Sequence, residues 1–92
     1  MQGALQQFLR ESGLDRRLRH WPIFEAWTEA VGRDLARRAV PVSFADGELV
    51  VEVESAAHLH ELKNFTGDHY REQANVRLGR VEIAQIVFRL KR

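Results

Sequence analysis

VPVSFADGELVVEVESAAHLHEL, residues 40–62, decides the fold, because it reads as a hairpin running directly into a helix. Asp46-Gly47 separates two alternating runs, and a two-residue Asp-Gly loop favours a type I′ turn whose twist matches its flanking strands. Counting outward from that loop places Phe44 opposite Leu49, Val42 opposite Val51 and Val40 opposite Val53, so these apolar pairs share one face. Pro41, Ser43, Val50, Glu52 and Glu54 fall on the other face. A one-residue slip would scatter the apolar set, so turn chemistry and burial pattern specify the same register.

Downstream, Ser55 is placed to cap a helix whose apolar stripe runs through Leu59, Leu62, Phe65 and Tyr70 toward Val76 and Leu78, with Gly79 as its stop. Gly67 either kinks that helix or divides it in two. Residues 81–90 alternate in two phases, Val81 and Ile83, then Ile86, Phe88 and Leu90. This predicts a bulge or a late strand start near Ala84-Gln85, with Val87, Arg89 and Lys91 pointing outward.

Upstream, Pro22 suits the first turn of a helix. Ile23, Phe24, Trp27, Val31 and Leu35 fall on one stripe and Glu25, Glu29 and Arg33 face away, which predicts a helix over 23–38. Gly32 inside it costs about 1 kcal/mol relative to Ala, and close approach of another backbone is the expected reason. Residues 4–11 carry Leu5, Phe8 and Leu9 at helical spacing before a stop at Ser12-Gly13, and Leu14 and Leu18 predict a further turn.

The order is α-α-β-β-α-β over a single domain, 1–92. It predicts an α+β fold with the helices packed on one face of a three-stranded mixed sheet. The open face would display Ser43, Val50, Glu52, Val87, Arg89 and Lys91.

Ninety-two residues suffice for one core that buries roughly 60–65% of the surface the unfolded chain exposes. The 45% hydrophobic and 29% charged composition is that of an ordinary globular protein. No run approaches the roughly 20 apolar residues that span a bilayer, and no basic segment followed by an apolar one opens the chain, so a cytoplasmic location without membrane partners is expected. The absence of cysteine excludes disulfides, thiol catalysis and thiolate zinc sites. Net charge is +1, unevenly spread. Residues 41–62 hold five acids and no Lys or Arg, whereas 63–92 hold seven bases against three acids.

The four histidines, His20, His58, His60 and His69, lack metal-ligand spacing, since His58 and His60 point apart on a helix and Glu61 completes no i,i+4 pair. No activated nucleophile or phosphate-cradling glycine loop is present, so no enzyme activity, cofactor or small-molecule substrate is expected. Arg89, Lys91 and Arg92 cluster at the end of the last strand with no acid nearby in sequence, and are the first candidates for phosphate contact. Arg77 and Arg80 flank a helix C-terminus, where the dipole alone explains them, and rank second. Trp27 belongs to the core stripe; Trp21, just before the helix, either staples it or lies exposed. Candidate partner contacts are Val50, Glu52 and Val87 on the open face, with Trp21 and His58.

Trp27, Val31-Gly32, Leu35-Ala36, Pro41, Asp46-Gly47, Leu49, Val51, Val53, Ser55 and Glu61-Leu62 together resemble the pattern of the bacterial DciA family. Asn75, Leu78-Gly79, Ile86 and Phe88-Arg89 continue the resemblance through the C-terminal half. It implies a domain similar to a type II KH fold. The implied role is loader or operator of the hexameric replicative helicase, acting by binding helicase and single-stranded DNA and by no chemistry of its own. The pattern departs in two places. Where the family often has Trp in the first turn of the post-hairpin helix, this sequence has His58. Where relatives often continue into a flexible segment, this sequence ends at Arg92, so weaker or narrower binding is expected. None of the six glycines forms the Gly-x-x-Gly clamp of KH modules, so electrostatic contact rather than sequence reading is expected. A KH-like RNA-binding module and a pure protein-interaction domain are the alternatives.

Overall fold

The computed structural model describes residues 19–92; the helix expected over 4–11 and the turn at Leu14 and Leu18 lie outside them. The described elements are α1 (Trp21–Val31), α2 (Arg33–Arg38), β1 (Ala39–Ala45), β2 (Glu48–Val53), α3 (Ala56–Glu61), a π-helical turn (Leu62–Thr66), α4 (Gly67–Leu78) and β3 (Gln85–Leu90). The sheet order is β1-β2-β3, antiparallel across the hairpin and parallel between β2 and β3. This is the α+β, KH-like arrangement expected, with a mixed three-stranded sheet.

The hairpin turns as its sequence dictates. Asp46 and Gly47 have φ of 51° and 79°, the two left-handed residues that a type I′ turn requires. Phe44 faces Leu49 as expected, but the pairs Val42–Val51 and Val40–Val53 do not form. The register shifts by one between Pro41 and Ser43, so Pro41 faces Val51 and Ala39 faces Val53, with Val42 as the extra residue. Ala39 and Pro41 are buried with Leu49, Val51 and Val53, while Val40 and Val42 are half-buried. Proline supplies no ladder donor and is tolerated in strands at edges and bulges, and a bulge lets β1 turn its small Ala39 toward the core. There the Trp27 indole Nε1 donates to the Ala39 carbonyl at 3.0 Å.

The helix expected over 23–38 is two helices, because Gly32 sits at φ 89°, ψ 155°. A Cβ at Gly32 would meet nothing within 4 Å, so its role is conformational and not the close backbone approach expected. Pro22 starts α1, and Ile23, Phe24, Ala26 and Trp27 bury its inner face. Trp27 packs edge-on against Tyr70 of α4, ring centroids 6.0 Å apart, and at 5.8 Å from Phe88 of β3. One side chain thus joins α1 and α4 to the sheet.

Ser55 Oγ accepts from the His58 backbone N–H at 3.1 Å and caps α3. The chain then stays helical through the π turn into α4, so Gly67 marks a change of helical pitch and not a break. A Cβ on Gly67 would lie 2.6 Å from Phe88 Cε2, so α4 approaches β3 as closely as glycine permits. The wider π turn changes the helical phase, and Tyr70 and Leu78 still pack against the core as expected, whereas other stripe positions do not. Phe65 and Val76, expected on the core stripe, are 74% and 71% exposed, and Ala74 and Asn75 are buried instead. Gly79, at φ 78°, ends α4, and β3 starts late, at Gln85, as the phase shift predicts. Buried Asn75 fixes the connection. Its Nδ2 donates to the Ile83 carbonyl at 2.9 Å, and its Oδ1 accepts from the Ile83 and Glu82 N–H groups at 2.9 and 3.1 Å.

Candidate interface along the third strand

Arg89 lies on the face of the sheet opposite the helices, and its charge is not unopposed. The parallel register sets Glu52 beside it, with Arg89 Nη2 3.1 Å and Nε 3.2 Å from Glu52 Oε2. The sequence could not show this acid, which is 37 residues away. Val50 and Val87 are also register partners, so Val50, Glu52 and Val87 do converge into one patch, an aliphatic pair beside an ion pair. Being solvent-exposed, that pair contributes only about 0–1 kcal/mol.

Lys91 and Arg92 are exposed at the end of β3. The Lys91 N–H donates to the Val53 carbonyl at 2.8 Å, which holds the backbone of this cationic end in register with β2. Arg77 and Arg80 belong elsewhere. Arg80 precedes β3 and Lys91 follows it, at opposite ends of a strand about 20 Å long. Arg80 Nη2 is 2.8 Å from Glu82 Oε1, and Arg77 Nε is 3.7 Å from Glu29 Oε2. The five candidate cations therefore do not form one site; Arg89, Lys91 and Arg92 share a strand end.

Trp21 is 57% exposed and lines a shallow groove with Phe24, Glu25, Thr28, Val40 and Pro41, apart from the Val50 and Val87 patch. His58 is half-buried in the first turn of α3. Neither joins the open-face residues. Among the described residues no cluster of histidines and carboxylates is arranged to hold a metal, and no helix is long and apolar enough to cross a membrane.

Sequence reasoning missed a groove of about 400 Å³ between the free edge of β3 and the π turn and α4, walled by Leu62, Lys63, Asp68, Arg71 and residues 84–88. Gly67 and Phe88 form its floor. Arg71 is held in place by Asp68 Oδ1 at 2.9 Å and the Ile83 carbonyl at 3.2 Å. Lys63, in the π turn on the same helical wall, is exposed. The one sequence signal for this groove is Gly67, which permits the close approach that shapes it; the π turn has no local signature.

The backbone along this groove has a definite polarity. Gln85 and Lys91 donate their N–H groups to the Gly47 and Val53 carbonyls of the hairpin, and strand groups alternate in direction. The N–H and C=O groups of Ile86, Phe88 and Leu90 therefore point away from β2, along the outer edge of the sheet. The site offers a row of paired donors and acceptors, an apolar floor and cations at both margins, an arrangement suited to binding an extended chain.

A family model described as Dna[CI] antecedent, DciA, matches residues 1–88. A comparison with curated proteins gives no match.

Proposed function

The chain belongs to the DciA family, which is associated with helicase loading in DNA replication, and on that premise we propose that it is a replication accessory protein that works by binding. In this reading one module, residues 1–92, contacts the hexameric replicative helicase and single-stranded DNA in the bacterial cytoplasm and helps place the helicase on the strand, with no catalysis of its own. The observation that carries the reading is the family match over 1–88. Lys91 and Arg92, exposed beyond β3 with Arg89 adjoining, are the proposed phosphate contacts. The Val50 and Val87 patch, flanked by Glu52, is the proposed helicase contact.

Affinity capture of the tagged protein from its own cells, with and without nuclease, tests the reading. Recovery of the replicative helicase that persists after nuclease supports it. RNA and ribosomal proteins that vanish with nuclease would instead indicate an RNA-binding module. For the DNA contact, Lys91 and Arg92 alone give a slope of log affinity against log salt of about −1.4 on single strands, and a third contact by Arg89, once it leaves Glu52, brings it to about −2. Replacing Arg89, Lys91 and Arg92 together with Ala should remove that binding and leave thermal unfolding nearly unchanged.

A further inference from the structure

We propose that the outer edge of β3 is a strand-addition site that takes an extended, acid-bearing apolar segment of a protein partner. The edge donors and acceptors of Ile86, Phe88 and Leu90 recur every second residue, the spacing of a strand laid beside them. No backbone hydrogen bond reaches them from other described residues. An added strand would direct alternate side chains into the groove over Leu62, Gly67 and Phe88 and the others beside Val87, which is 38% exposed. Charge selects the occupant. Lys63 lines one wall, and Lys91 and Arg92 stand at the strand end, whereas the one acid lining the groove, Asp68, is already taken by Arg71. Acidic residues flanking apolar ones therefore complement this edge.

The other edge of the sheet lacks these properties. Along β1, Pro41 offers no N–H and the bulge at Val42 breaks the even spacing an incoming strand needs. The site shares Lys91, Arg92 and Val87 with the contacts proposed above, but its argument rests on backbone direction and charge and not on the replication reading.

The test is amide hydrogen exchange on the full ¹⁵N-labelled chain, followed by NMR, with a synthetic acetylated hexapeptide of alternating Glu and Val as probe. The same peptide N-methylated on every residue serves as control, since methylating alternate residues would leave one peptide edge able to pair. The expected result is slowed exchange at Ile86, Phe88 and Leu90 with the first peptide and none with the second. Leu90→Pro removes one edge donor without touching the β2 ladder, and should weaken the peptide about fivefold, the loss of one hydrogen bond. If that variant does not fold, Lys63→Glu replaces it and should weaken binding by a similar factor. Equal effects of the two peptides, or no slowing at these amides, would overturn the proposal. Slowing by oligothymidylate but not by the peptide would make the edge a nucleic-acid site and also overturn it. Slowing without any ligand, together with dimers in sedimentation, would assign the edge to a second copy of the chain, with the same consequence.

Discussion

Along β1 the sheet edge carries Pro41, which has no donor, and an extra residue at Val42; along β3 the pairing from Gln85 to Leu90 is unbroken. Both are outer strands of one small sheet, and exposed edges invite pairing with other chains. On β1 the bulge also serves the interior, because it brings Ala39 to Trp27. On β3 Phe88 meets Gly67 so closely that α4 is held beside the strand and leaves a groove along it. The difference separates two uses of an edge: β1 is committed to packing, and β3 combines packing with a backbone edge that no other described strand pairs with. Each prediction below tests one side of this contrast.

The largest effect should follow Trp27→Ala. Trp27 is fully buried, touches Tyr70 and Phe88 and holds β1 through Ala39. Its truncation should cost about 3–5 kcal/mol, a large part of the roughly 5–14 kcal/mol expected for a chain of this length. Chemical denaturation measures it. A loss below about 1 kcal/mol would mean that β1 is secured by its bulge alone.

Gly67→Ala tests the β3 side. The added methyl would clash with the Leu62 carbonyl oxygen of the π turn and meet the Phe88 ring at 2.6 Å, and overpacking of this kind costs about 1–3 kcal/mol. The π turn and Phe88 would both have to give, so the amide resonances of residues 62–67 and 84–88 should shift while those of the β1–β2 turn stay in place. A neutral substitution would show that the groove is compliant.

Gly32→Ala should be smaller, and it addresses how the chain enters β1. With nothing within 4 Å of the new methyl, the effect is the strain of holding a side chain at φ 89°, about 1–2 kcal/mol. Thermal unfolding measures it. If the helices fused instead, helical circular dichroism would rise and the pairing of Ala39 with Val53 would be lost.

The hairpin turn, the Ser55 cap, the Gly79 stop and the late start of β3 were all legible, because each depends on residues within a few positions of one another. Two of the departures share a cause. The bulge at Val42 goes with the Trp27 bond to Ala39, and the π turn after Leu62 goes with the close approach of Gly67 to Phe88; both are tertiary arrangements that override a local period. Gly32 inside a helical pattern calls for a reason, but conformation and close approach look alike in a sequence. At the candidate site, Val50 with Val87 followed from alternation, whereas Glu52 beside Arg89 needed the parallel register of β2 and β3. The groove at Lys63 was hidden because its two walls are brought together by a π turn that no residue pattern announces.

The smallest structural effect should accompany an informative functional one. Glu52 sits on the central strand and neutralises Arg89, so it separates the stability of the sheet from the charge at the end of β3. Glu52→Gln preserves shape and removes the negative charge, and loss of an exposed ion pair should change stability by less than about 1 kcal/mol. Arg89 would then be free to join Lys91 and Arg92 at a phosphate backbone. If these residues contact single-stranded DNA, affinity at low salt should rise, and the slope of log affinity against log salt should steepen by about 0.7, the contribution of one further phosphate contact. An unchanged slope would mean that Arg89 already leaves Glu52 in the complex, or that DNA does not bind at this strand end. The Arg89→Ala variant separates the two, since it lowers the slope in the first case and leaves it untouched in the second.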